Sequence, residues 1–72
     1  MDENLIKKIN LLANVELPNY SSKEKVLYYK DLLKRLDRLL NDKNINLDDF
    51  EQLLEIKKQI MSKINTEKGK ME

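Results

Sequence analysis

The chain contains no cysteine and no histidine. Without cysteine it can form neither disulfides nor thiolate metal sites, and without histidine it lacks the commonest general base, so only carboxylates remain as metal ligands. Glycine and proline occur once each, at Gly69 and Pro18, a composition that suits helices rather than strands and turns. No stretch approaches the ~20 consecutive apolar residues of a membrane span. The opening Met1-Asp2-Glu3-Asn4 has no basic leader region, so a cytoplasmic protein without membrane association is expected. Neither sign of charge is in excess: charged residues are 38% of the chain, yet the formal net charge is +1. A balance so near neutral argues against a dedicated binder of nucleic acid or membrane surface, whose basic excess is usually plain.

Hydrophobic residues make up 40% of the 72 residues, enough for one small core and too many for a disordered chain. A chain of this length makes one domain, near the lower limit at which packing alone stabilises a fold. Stability must come from packing within the chain or against a second copy.

Three helical segments are readable. In the first, from Glu3 to Asn14, Leu5, Ile6, Ile9, Leu12 and Ala13 recur at helical steps. Asp2 can cap its start, and Pro18 stops it by disfavouring the α conformation at Leu17. Val15 and Leu17 of the connector are expected to tuck under the bundle. The second segment opens with a capping box, Ser21 and Glu24. Val26, Tyr29, Leu33, Leu36 and Leu40 then alternate 3-4-3-4, and Leu32 and Leu39 widen that seam. The third begins at Asn46 as its cap, with Ile45 and Phe50 spaced as a hydrophobic staple and Asp48 and Asp49 in the first turn. Its apolar side is Leu47, Phe50, Leu53, Leu54, Ile56, Ile60, Met61 and Ile64. After Asn65 the pattern dissolves. The expected architecture is therefore all-α: a small three-helix bundle in which the second and third helices form a long antiparallel hairpin and a shorter first helix packs across it. Residues 1–66 would form the single domain and residues 67–72 a flexible tail.

Little of this carries chemistry. Asp42-x-Asn44-x-Asn46 opens like an EF-hand calcium loop, but Leu47 stands where the loop needs glycine and Leu53 where it needs a bidentate glutamate. Turn and cap explain the same residues. Ser21, Ser22 and Ser62 have no partner to activate them, and Gly69 alone cannot cradle a phosphate. Neither catalysis nor a cofactor is expected.

Binding is the better prospect. Lys23, Lys30, Lys34 and Arg38 line one ridge of the second helix at helical steps, where they could track phosphates. Asp37 and Asp31 interrupt or flank that ridge, and aromatic interleaving is missing, so a solvated charged face is its ordinary reading. Leu27 falls within the ridge and Tyr28 just outside the seam, to be covered by the first helix or by a partner. Lys57 sits near the centre of the third helix's apolar stripe. Its ammonium must reach water, pair, or serve as a polar residue that sets register or oligomeric state. The expected function is a small helical interaction protein that binds a surface of another protein as regulator, inhibitor or adaptor. Lys23, Leu27, Tyr28, Lys30, Lys34 and Arg38 would form its contact surface, and a homodimer is expected in which a second copy buries Leu27 and Tyr28 and Lys57 sets the register. A dimeric nucleic-acid-associated regulator using the ridge, and a structural subunit of a larger assembly, are the alternatives.

Calcium offers a direct check. Millimolar calcium should leave the melting temperature unchanged, because a ligand of the folded state would raise it. An upward shift abolished by Asp42→Ala would restore the metal site.

Overall fold

The computed structural model describes residues 2–71; Met1 and Glu72, the last residue of the expected tail, lie outside the described residues. Each helix starts at a side chain that accepts a free backbone N–H. Asp2 accepts from Asn4 N–H at 3.0 Å and opens α1, Glu3–Asn14. Ser21 opens α2, Ser22–Leu40, through a reciprocal box: its hydroxyl accepts from Glu24 N–H at 3.1 Å, and the Glu24 carboxylate accepts from Ser21 N–H at 3.0 Å. Asn46 opens α3, Leu47–Lys70, by accepting from Asp49 N–H at 2.8 Å. Caps of this kind are each worth ~1 kcal/mol.

The turn between α2 and α3 closes through backbone hydrogen bonds from Asp42 to Leu39 and from Ile45 to Asp42. Asp42 also accepts from Asn44 N–H at 2.9 Å, so the residues that resemble a calcium loop are engaged in shaping the turn. Among the described residues no group of acidic side chains is arranged to hold a metal ion. So short a turn sends α3 back along α2. Lys57, midway along α3, reaches Asp37, and Glu67 near the end of α3 reaches Lys25 near the start of α2, which makes the pair antiparallel. At ~1.5 Å per residue α3 is about 36 Å long, close to the longest dimension of the molecule, 40 Å.

The 3-4 seam of α2 meets α3 as its spacing predicts. Leu36, Leu53 and Ile60 are the largest fully buried side chains, and Val26, Tyr29, Leu32, Ile56 and Ile64 extend the core along the hairpin. Ile6, Ile9 and Ala13 bring α1 onto that core, so the shorter helix crosses both long ones. Leu17 packs against the core as expected, whereas Val15 stays largely exposed. Leu47 and Met61 likewise stand in solvent: both belong to the flank of α3 that turns away from α1 and α2. No helix among the described residues is long and apolar enough to cross a membrane.

One element outruns its sequence pattern. α3 continues past Asn65 to Lys70, and Glu67 within that extension is buried. Its carboxylate meets Lys25 and Lys70, each at 3.4 Å, and accepts from the Ser22 hydroxyl at 3.4 Å. The last turn is therefore held by charge, not by the apolar periodicity that ends before it.

Ser21→Ala should cost ~0.5–2 kcal/mol through loss of the α2 cap, and Leu36→Ala ~2–5 kcal/mol through the cavity left in the seam. Urea unfolding of the two variants checks the order. Equal, mild losses would contradict the placement of α2.

Candidate partner-binding surface

On α2 the ridge residues Lys23, Lys30, Lys34 and Arg38 all project into solvent around Leu27, which is 58% exposed on the side opposite the core. None of the four cations makes an ion pair with a described residue. The two carboxylates that interrupt or flank the ridge, Asp37 and Asp31, are engaged elsewhere. Asp37 binds Lys57 at 2.8 Å, and Asp31 binds Arg35 at 3.3 Å on the same helix. Both pairs are partly or wholly solvated, so each contributes about 1 kcal/mol or less to stability. Their consequence for the surface is larger, because they leave the ridge cations uncompensated.

The ion pair also accounts for Lys57. Its stem follows the edge of the α2–α3 seam and its ammonium ends on Asp37, so the charge is satisfied within one chain.

Tyr28 takes a different role from Leu27. Its hydroxyl donates to the Leu12 carbonyl at 2.7 Å, and its ring lies edge-on to Tyr20 and Tyr29 at centroid distances of 6.4 and 5.5 Å. Burial, then the neighbouring Tyr29 and Tyr20 phenols, push the Tyr28 hydroxyl up from its ordinary pKa of 10.0, so it is a proton donor throughout the neutral range. α1 therefore covers Tyr28 and leaves Leu27 uncovered. The same junction employs Lys63, whose ammonium donates to the Ala13 carbonyl and to the Asn14 side-chain oxygen and stands 5.9 Å from the Tyr29 ring centre. The last turn of α1 has no basic residue of its own. Its free carbonyls, the negative end of the helix, are met by a phenol from α2 and an ammonium from α3.

α1 sits against the hairpin in a way that leaves an apolar groove between α1 and α2, with a volume of about 280 Å³. Leu5, Ile9 and Leu12 form one wall and Leu32, Leu36 and Leu39 the other; Lys8, Arg35 and Arg38 stand at the rim. Arg38 thus belongs both to this groove and to the outer ridge. Apart from its three rim cations, the described lining of the groove is entirely aliphatic. A smaller hollow beside Tyr29 does gather Ser62, Lys63, Thr66 and Glu67. There the Thr66 hydroxyl donates to the Ser62 carbonyl, Lys63 caps α1, and Glu67 binds two lysines.

Sequence reading places Lys23, Leu27, Lys30, Lys34 and Arg38 on one surface, and the structure brings them together on one side of α2. It passes over Lys8, Arg35, Lys63 and Glu67. For the first two a signal existed: Leu5, Ile9, Leu12 and Leu32, Leu36, Leu39 repeat one 4-3 spacing with a cation in the same turn. Which rows adjoin is not written in that spacing. Lys63 and Glu67 act on partners 50 and 45 residues distant, and no local pattern marks them.

Burial pushes the Glu67 carboxyl up, but hydrogen bonds from Lys70 and Lys25, with their charges, outweigh it and hold its pKa below the ordinary 4.5. A carboxyl depressed in the folded state contributes stability that is present above its unfolded pKa and is lost as pH falls through the folded value. Glu24, held low by the backbone and hydroxyl of Ser21, acts in the same direction. The melting temperature should therefore fall as pH drops from about 5 toward 3, and Glu67→Gln should be less stable at neutral pH with a flatter acid profile. Superimposable profiles for variant and wild type would refute the role of Glu67.

No family model, no curated protein and no solved structure matches this chain, so its function is argued from its own surface.

Proposed function

We propose that this chain is a small non-enzymatic interaction protein that acts by occupying a surface of another protein, as a regulator, inhibitor or adaptor. The observation that supports the reading is the exposed outer side of α2. Leu27 stands exposed among four cations that make no ion pair with a described residue, and Arg38 joins that ridge to the apolar groove beside α1. Apolar anchors surrounded by charge are how helical modules hold a partner: the apolar contacts supply most of the affinity, and the charges steer and select.

A second reading rests on the ridge alone. Lys23, Lys30, Lys34 and Arg38 are free to neutralise phosphates, which would suit a nucleic-acid-associated regulator. Salt separates the two. Phosphate contacts release counterions and weaken steeply as salt rises, whereas apolar contacts persist.

The test is affinity capture from the native host with the full chain, in parallel with Leu27→Glu and Leu5→Glu, with nuclease treatment and a salt series. The expected result is one enriched protein that survives nuclease and moderate salt and is depleted by either variant. Recovery of nucleic acid that is lost with salt, with no protein retained independently of it, would overturn the proposal in favour of the second reading.

A further inference from the structure

Resting on the protein-binding reading above, we infer that the groove between α1 and α2 receives an amphipathic helix of the partner whose flanks carry carboxylates. Three features of the groove define that occupant.

The first is spacing. Leu5, Ile9 and Leu12 on α1, and Leu32, Leu36 and Leu39 on α2, present the same 4-3 step on both walls. Each row spans about 10 Å, two turns of helix. Paired rows at this interval accept side chains that also recur every three and four residues, which is the period of an entering helix and not of an extended strand.

The second is depth. Ile9, Leu32 and Leu36 are buried core residues at the floor, while Leu5, Leu12 and Leu39 keep part of their surface open. The partner's apolar side chains would thus rest on a rigid floor and cover edges that are now wet. The floor belongs to the folded core, so the groove is formed before the partner arrives, which lowers the ordering cost of binding.

The third is charge. Lys8 stands on the α1 side and Arg35 and Arg38 on the α2 side, and no carboxylate of a described residue lines the groove. The chain has only two arginines, and both are at this rim, while its other cations are all lysines. A guanidinium offers a planar fork that matches a carboxylate in two hydrogen bonds, which an ammonium cannot do. Arg38 makes no ion pair with a described residue, and Arg35 holds Asp31 in an exposed pair that an incoming carboxylate can exchange. Glutamates or aspartates beside the apolar stripe of the entering helix would meet cations on both rims. A basic helix would meet repulsion on both.

The experiment uses the full chain, isotopically labelled, and three synthetic helical peptides of about 14 residues. One has leucines at 3-4 spacing flanked by glutamates, a second has lysines in place of the glutamates, and a third keeps the glutamates but has serines in place of the leucines. The expected result is saturable shifts at Leu5, Leu12, Leu32 and Leu39 with the first peptide only, at least about tenfold weaker binding of the lysine peptide, and a loss of similar size in Arg35→Glu/Arg38→Glu. Both substitutions lie at exposed positions, and an unchanged melting temperature shows that the variant is folded. Equal binding of the acidic and basic peptides, shifts confined to Leu27 and its neighbours, or no saturation would overturn the inference. So would a wild-type dimer in sedimentation equilibrium that Leu5→Glu dissociates, because a second copy would then be the occupant. If the peptides fail while native capture yields a protein through Leu27, the groove assignment falls and the protein-binding reading stands.

Discussion

Burial of Leu36 against Leu53 and Ile60 is the contact on which the other features rest, because this chain has no disulfide and no metal-holding cluster among its described residues to replace it. Fully burying a leucine or isoleucine contributes ~1.5–3 kcal/mol. Three such side chains therefore contribute on the order of the whole net stability of a small domain, ~5–15 kcal/mol. Everything peripheral to the seam is arranged around keeping it in register. The Lys57–Asp37 pair bridges it midway along α3, and Lys25–Glu67–Lys70 closes it at the end far from the turn. These bridges are weak individually, but they hold the hairpin at two separate levels. A slip of α3 along α2 would break both at once.

α1 is joined to that hairpin by a second kind of interaction. Its apolar contribution is modest, with Ile6, Ile9 and Ala13 buried, and its C-terminal carbonyls would be orphaned near the core if they met no donor. Tyr28 and Lys63 supply donors from two different helices. That arrangement pins the C-terminal end of α1 firmly, while its earlier turns lean on the core with Leu5 still open. The groove is a consequence: a helix held tightly at one end and lying across two others cannot fill the space along both.

The candidate surface thus follows from the way the core is closed. Asp37 would screen the basic ridge if it were free, and Asp31 would do so from the other side, but the packing of α3 draws the first to Lys57 and helical spacing gives the second to Arg35. Structural ion pairs therefore leave four cations with unbalanced charge beside an exposed leucine. Arg38 then connects this charge to the groove, so that a basic ridge adjoins an apolar groove whose floor is the core itself.

Local rules accounted for what is local. The Ser21–Glu24 box, the Asn46 cap, the stop before Pro18 and the 3-4 seam all depend on residues within a turn or two of each other, and each is where its spacing indicates. The basic ridge is legible for the same reason, since one helix carries all of it. Other outcomes depended on which faces meet. Leu47 and Met61 carry the same hydrophobicity as Leu53 and Ile60, yet only the latter lie where α2 and α1 converge. The last turn of α3 has no apolar period and exists because Glu67 finds Lys25 across the hairpin. Tyr28 and Leu27 are neighbours in sequence with opposite fates, one covered by α1 and one left in water. Sequence by itself determined the three helices, their capped starts, the ends of α1 and α2 and the seam of α2, because those follow from hydrogen bonds and periodicity within a turn. Tertiary structure decided the groove, the pairing of the charges and the length of α3, because each requires groups far apart in the chain to come within a few ångströms.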